Sequence, residues 1–365
     1  MKNIIFKIII LIMISIIISC SNENSGTKKE NIQLSENERL EIFDIRYLTS
    51  ENGEYLNILL KENSKSVFVD YIFYENQSIN ALIFDTEINE GYIKSEAIDD
   101  YGTNYIEGNL SDAGFNGKIE GREVNFVSAK SPLSGAKVVR YTYTNISPTS
   151  ASEEDKKIFE YYSSIFLFNN DKKSAIIDKI NLDINSEITS EKLDINKLSD
   201  IKNILSNNML PFYNDWAGKG EYGYNYYSVS EYGIDYLSEK IVSINKYFYE
   251  YKGGAHGVHE KIYKVYSLSN GERLKIEDIF IDVNNLDLIN KVKEKLLSMF
   301  DKEIYFNFLD ELSLQENNFY ITSKGLTFTW GIYEIAPYAM GDFEVLFSID
   351  EIMPYLKDEY KSIFE

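Results

Sequence analysis

From about residue 41 to residue 130 the apolar positions come in short runs broken by polar turns. Tyr55–Leu60 (YLNILL), Ser66–Tyr74 (SVFVDYIFY) and Ile79–Asp85 (INALIFD) are rich in β-branched and aromatic residues. Runs of that length and composition predict strands. Between Ile106 and Phe126, Gly108, Gly114, Gly117 and Gly121 separate two- to four-residue alternations. Glycine accepts positive φ, so this spacing predicts tight hairpins in an antiparallel meander. A small β-rich domain, barrel-like or an open sheet, is expected over residues 41–135, ending at Ser131–Lys137 (SPLSGAK).

Beyond that boundary the period changes. Ile176, Ile177, Ile180 and Ile184 fall at helical spacing, as do Ile195, Leu198, Ile201, Ile204 and Leu205. A tyrosine-dense stretch follows, in which Tyr222, Tyr224 and Tyr226 would share one face of a strand. In the last third, Glu260–Leu268 predicts a strand, Ser269–Glu272 (SNGE) a hairpin turn, and Arg273–Phe280 (RLKIEDIF) its return. Asn284–Phe300 predicts an amphipathic helix capped by Asn284 or Asn285, with a stripe of Leu286, Ile289, Val292, Leu296, Leu297 and Phe300. Leu326, Phe328 and Trp330 mark a strand in a second hairpin. Phe343, Val345, Phe347 and Ile349 mark the last strand, and Asp350 is expected to cap a short terminal helix. The fold class is α+β: antiparallel sheets with a few packed helices, preceded by the small all-β domain.

The ends add a location. An apolar run reaching Ile18, with Lys2 and Lys7 near its start, is short for a membrane span but suits a secretory leader. It closes on Ser19-Cys20, which resembles the lipobox of bacterial lipoproteins, and Cys20 is the only cysteine of the 365 residues. The resemblance implies a signal peptide over residues 1–19 and lipidation of Cys20. It also implies anchoring in the cell envelope outside the cytoplasmic membrane, with Ser21 directing export towards an outer membrane or the cell surface. Residues 20–40 then read as a polar tether. The net charge of −21 disfavours nucleic acid and anionic lipid headgroups as partners and favours cationic ones, although acidity also serves solubility.

Both histidines lie in Tyr251–Glu260 (YKGGAHGVHE). His256, His259 and Glu260 are donors of a type that holds zinc. A metal pair usually needs histidines four apart on a helix, however, and Gly253, Gly254 and Gly257 argue against a helix. A structural turn is the expected reading, with His256 hydrogen-bonded locally; a metal held by His256 and His259 is the weaker alternative, and no cofactor is expected. No Gly-x-Ser-x-Gly elbow is present, and paired carboxylates cannot be located among 58 acids.

The motif Tyr-x-Gly-Gly-Ala-His-Gly (Tyr251, Gly253, Gly254, His256, Gly257), the strand–turn–strand after it, and Tyr-Glu-Ile-Ala-Pro-Tyr-Ala-x-Gly (Tyr333, Pro337, Tyr338, Gly341) together resemble the C-terminal domain of unknown function of RsiV-type proteins. The resemblance covers about residues 250–355. It implies an RsiV-like domain over 251–365, preceded over 136–250 by an α+β segment of the kind shared with PdaC-type deacetylases. RsiV-type proteins are anti-sigma factors whose extracellular part binds lysozyme. Here the apolar run starts at Asn3-Ile4, which leaves no cytoplasmic segment for a sigma factor, and no paired metal-ligand stretch of a deacetylase is found. The expectation is a non-enzymatic envelope lipoprotein that binds a ligand of the lysozyme-like, cationic kind. The alternative is a peptidoglycan- or carbohydrate-acting enzyme or binding protein that uses the Tyr222–Tyr236 region.

Overall fold

The computed structural model describes residues 35–75, 78–99, 102–133, 135–146, 157–219, 224–299, 312–314 and 319–364. The leader, Cys20 and most of the tether lie outside the described residues. Among the described residues no helix is long and apolar enough to cross a membrane.

Fourteen strands share one sheet. The first eight are β1 (Glu38–Thr49), β2 (Tyr55–Lys61), β3 (Ser66–Glu75), β4 (Ser78–Glu87), β5 (Tyr92–Asp99), β6 (Gly102–Ser111), β7 (Gly114–Ile119) and β8 (Arg122–Ser128). They form antiparallel ladders β1–β2–β3–β4 and β5–β6–β7–β8, and β1 joins the two ladders through Leu48 and Thr49. Between β4 and β5 side chains bridge to backbone: Thr86 Oγ1 donates to Lys94 O at 2.8 Å and Ser95 Oγ to Asp85 O at 3.0 Å. Leu56, Ile58, Val67, Val69, Tyr71, Phe84, Ile93, Ile106, Phe115 and Phe126 are buried together as the core of this unit. Burying an aliphatic or aromatic side chain contributes about 1.5–3 kcal/mol, so ten such groups suffice for a substantial core.

The expected boundary at 131–137 is not a break in the sheet. The first half of β1 pairs with β9 (Ala136–Ile146), Glu38 opposite Tyr143 through Ile45 opposite Ala136, while its second half pairs with β2. The sheet continues through β10 (Ile158–Phe168), β11 (Tyr226–Leu237), β12 (Ile241–Tyr251), β13 (Val258–Ser267) and the short β14 (Arg273–Leu274).

One pair departs from the antiparallel expectation. β10 and β11 run parallel, which needs a crossover, and α1 (Ala175–Ile184) and α2 (Leu198–Gly218) supply it. The helical stripes are where the periodicity places them: Ile180 and Ile184 of α1 and Ile201 and Leu205 of α2 are buried. α2 runs on past Pro211 and buries Phe212 and Trp216, residues whose aromatic composition alone suggests a strand.

The C-terminal part stacks on this sheet. After α3 (Ile276–Ile279) and α4 (Leu286–Ser298), a three-stranded antiparallel sheet is built from β15 (Phe319–Thr322), β16 (Gly325–Trp330) and β17 (Phe343–Ser348). Two short helices, α5 (Ile349–Ile352) and α6 (Asp358–Lys361), follow.

Three details differ from the sequence reading. The return strand after the Asn-Gly turn is only two residues long, because Ile276 and Ile279 turn inward as a helical face. The buried stripe of α4 is Leu288, Val292 and Leu296, while Leu286 is 76% exposed and Leu297 50% exposed. The cap Asn285 accepts from Leu288 N, which sets the first inward position two residues later than hydropathy suggests. Ser348, not Asp350, caps α5, in a capping box with Glu351.

Candidate functional site

The turn after β12 is shaped by its glycines. Gly253 has φ +90° and Gly254 φ +99°, values an L side chain rarely adopts. A Cβ on Gly257 would lie 2.3 Å from the Tyr249 ring, so that close approach requires glycine. Tyr251 Oη donates to Gly254 O at 3.0 Å and holds the turn closed.

The second motif reaches this turn from residues 331–342. Tyr333 has φ +68°, an unusual backbone for an aromatic residue, and Pro337 precedes a 3-10 turn over Tyr338–Met340 that ends at Gly341. The two motifs meet. The Tyr338 ring stacks on His256 with centroids 3.8 Å apart, and Tyr338 Oη donates to Gly257 O at 2.9 Å. Tyr333 packs 5.6 Å from Tyr338. His256 Nδ1 lies 2.9 Å from Gly257 O, the local hydrogen bond expected of it, yet its ring is exposed.

His259 has the larger anchoring role. It is buried, with Nε2 3.1 Å from each oxygen of Asp342, and so ties β13 to the end of the second motif. No spacing rule reveals an Asp342 partner so distant in the chain. Glu260 alternates to the exposed side of the strand, away from His259. Among the described residues no three His, Cys, Asp or Glu side chains are grouped to hold a metal.

An exposed aromatic edge surrounds this contact. Tyr333 is 59% exposed, Tyr224 58% and Val258 52%. Tyr224 lies against Gly253. The expected face of Tyr222, Tyr224 and Tyr226 does not form as one unit. Tyr222 lies outside the described residues, Tyr224 precedes the strand, and Tyr226 is buried beneath α2, where its hydroxyl donates to Asp215 at 2.7 Å. Tyr232 turns inward against α1, with its ring beside Phe166.

Next to this edge the strand register assembles residues that spacing alone does not. Glu231 on β11 pairs with Tyr247 on β12, which pairs with Lys261 on β13. Directly paired residues share a face, so the three form a row across the sheet. Arg140 on β9 extends the row over Ser164, with Nη2 2.7 Å from Glu231 Oε1. In the neighbouring row, Gly233 pairs with Asn245 and Asn245 with Tyr263.

The register of β11 and β12 shifts between Ile234 and Tyr236, which leaves Asp235 as the extra residue of a β-bulge. Asp235 is 6% exposed; its Oδ1 accepts from Asn245 Nδ2 at 2.7 Å, while Oδ2 has no hydrogen-bond partner. Lys261 lies 3.6 Å from Glu344 Oε1, and Tyr263 and Tyr320, stacked 4.3 Å apart, both donate to Glu344.

Burial raises the carboxyls of Asp70 and Asp235 to about 7. Glu231 adds repulsion at Asp70 and Arg140 partly offsets it; at Asp235 the largest offset comes from Lys261, followed by the hydrogen bond from Asn245. The Lys261 ammonium is held above its ordinary value because the carboxylates of Glu344, Asp235 and Asp342 outweigh its desolvation.

Fold and site together define an antiparallel, sheet-rich α+β protein in which a three-stranded C-terminal sheet and its loop close on one end of a much larger sheet. Residues 277–350, from α3 through β17, match the DUF3298 family, described as a protein of unknown function. Two solved DUF3298-family structures are similar to the chain. One, from Bacteroides fragilis, is 20% identical with a TM-score of 0.45, over 61% of this chain and 94% of that one. The other, from Pseudomonas aeruginosa, is 15% identical with a TM-score of 0.40, over 63% of this chain and 96% of that one. No curated protein matches the sequence.

Proposed function

We propose that the protein is a lipid-anchored, non-enzymatic envelope protein that binds a cationic protein of the lysozyme class through the edge formed by the 251–260 turn and the 331–342 loop. The observation that carries the reading is that edge itself: Tyr224, His256, Val258, Tyr333 and Tyr338 come together there, with three of them more than half exposed. Tyrosine is enriched where proteins recognise one another, because it combines a large apolar face with a polar tip. A chain of net charge −21 steers a basic partner to such an edge. The anchor is Cys20, and the residues from 21 to the start of β1 at Glu38 serve as the tether.

The test is binding of the full-length protein, purified in detergent, to a C-type lysozyme by interferometry at low and high salt. Saturable binding that weakens with salt and falls at least tenfold in Tyr333→Ala supports the reading; absence of binding overturns it. Capture of the protein by purified sacculi, with no lysozyme binding, favours the peptidoglycan alternative instead. Radiolabelled palmitate incorporation that is lost in Cys20→Ser tests the anchor.

A further inference from the structure

The outward face of the N-terminal unit carries a second pattern, separate from the aromatic edge. Along β5–β8 the side chains alternate: Ile93, Ile106, Ile119 and Phe126 are buried in the core, and their neighbours on the same strands point to solvent. Register aligns the outward side chains in rows across the strands. In the first row Tyr92 pairs with Asn109, Asn109 with Asn116 and Asn116 with Asn125. In the second Lys94 pairs with Glu107, Glu107 with Lys118 and Lys118 with Glu123. Lys94 and Glu107 lie 3.4 Å apart, Lys118 and Glu123 3.3 Å. In the third Glu96 pairs with Tyr105.

The two tyrosines are the apolar points of these rows, Tyr92 41% exposed and Tyr105 47%. Tyr105 stands four residues along β6 from Asn109, the partner of Tyr92, which separates the two by about 13 Å along the strands. A cleft of about 270 Å³ opens beside Tyr105, lined by Lys94, Glu96, Glu107 and Lys118. No aliphatic side chain stands outward between the tyrosines; the residues there are the Lys94–Glu107 pair and Glu96. A protein partner is a poor match, because the centre of a protein interface is depleted of charged residues. A polyanion is a poor match too, since two lysines face Glu96, Glu107 and Glu123. A pyranose ring combines an apolar C–H face with a rim of hydroxyls. Spaced aromatic rings with exposed charged and amide groups between and beside them match both parts.

We infer that this face of β5 and β6 binds an uncharged, β-linked glycan, with one sugar stacked on Tyr105 in the cleft and another on Tyr92. The separation of the tyrosines is longer than a disaccharide, so one extended chain reaches both. Lys94 and Glu107 hydrogen-bond the hydroxyls between the two rings, charge-assisted contacts from groups already held by their own pairing. The exposed amides of Asn109 and Asn116 lie beside the Tyr92 end and offer a donor and an acceptor to hydroxyl or acetamido groups. Strands packed on the core fix the spacing of the platform before the ligand arrives. None of these residues belongs to the aromatic edge, so the site stands independently of the proposed function.

The experiment is calorimetry on the full-length protein in detergent, with chitohexaose and, separately, cellohexaose, at low and high salt. A hexaose is expected to bind with little dependence on salt, and chitobiose, too short to reach both tyrosines, about tenfold more weakly. Tyr105→Ala should lower hexaose affinity about tenfold, whereas Tyr105→Phe, which keeps the ring, should retain it. Tyr92→Ala serves in its place if Tyr105→Ala loses its native circular dichroism. Binding of both hexaoses upholds the site through ring stacking and hydroxyl contacts; binding of chitohexaose alone upholds it with the acetamido group as the recognised feature. Hexaose binding that is absent, equal in wild type and Tyr105→Ala, steeply weakened by salt, or lost in Tyr333→Ala overturns the site. Lysozyme binding should be unchanged in Tyr105→Ala. A protein that binds the hexaose as stated and fails to bind lysozyme overturns the proposed partner and leaves this site standing.

Discussion

The two faces of β10–β13 carry the same residue types and treat them differently. On the face covered by α1, most polar groups are matched, Ser230 Oγ being buried without a partner. Tyr266 Oη donates to Asp183 at 2.6 Å, Lys264 Nζ donates to Asp183 O at 2.8 Å, and Lys246 pairs with Glu187 at 2.6 Å. Asn185 behaves as a strand edge in miniature, bonding both N and O of Phe166. Around these groups Tyr232, Ile234, Val242 and Ile244 form a dry core with Ile180 and Ile184. On the opposite face, Asp235 Oδ2 and the hydroxyls of Tyr162, Tyr227 and Tyr247 are buried without partners. Matched polar groups hold a fold together, whereas unmatched ones weaken it. The unmatched groups therefore gather mainly on the face away from α1.

Substitutions on the two faces can break this contrast. The largest effect is expected from Ile244→Ala on the α1 face, about 2–5 kcal/mol of stability in urea unfolding, because a buried methyl cluster is lost and a cavity remains. A loss below about 1 kcal/mol would mean that this face is not the structural one.

Next comes Asp235→Asn on the opposite face, read against pH. The folded carboxyl titrates at about 7, above its unfolded value of about 3.9. Between those values the unfolded chain sheds the proton while the folded chain keeps it, so wild-type stability falls as pH rises from about 4 to 7. Asp235→Asn removes that decline and is expected to be more stable than wild type at pH 8, on the order of 2–4 kcal/mol, with little difference at pH 4. Thermal unfolding across that range checks it; parallel curves for the two proteins would contradict the assignment.

Tyr266→Phe should cost about 1–3 kcal/mol, because it removes a hydrogen bond to a carboxylate. Tyr162→Phe, the same chemical change on the other face, should lie within about 0.5 kcal/mol of wild type or on the stabilising side, since its hydroxyl has no partner to lose. Equal losses for the two Phe variants, in matched denaturant titrations, would erase the distinction between the faces.

Local signals were enough for the elements and too short-ranged for the site. The Asn-Gly turn, the meander glycines and the stripe of α1 are decided by neighbours within a few residues, and hydrophobic period reads them correctly. The stripe of α4 was misread because Leu286 and Leu297 count as apolar in any pattern, and only the cap at Asn285 sets the phase. The turn at 251–260 is legible as a turn from its glycines. Its partnership with Tyr338 follows from the packing of the three-stranded sheet on β11–β13 through β15, which no spacing rule contains. Sequence reasoning drew attention to His256 and gave His259 less weight, whereas His259 is the buried one, because Asp342 arrives from the far end of the domain. The row Glu231–Tyr247–Lys261 was invisible for the same reason: it is a product of register across three strands.

The double use of β1 sets a timetable for folding. Its first half cannot be completed until β9 exists, yet the whole meander from β2 to β8 is synthesised in between. Through that interval the residues from Glu38 to Ile45 present an unpaired edge, the exposed kind of backbone on which chains aggregate. Glu38, Arg39 and Glu41 place charges along that edge. They act as gatekeepers for a strand that has to wait for its partner.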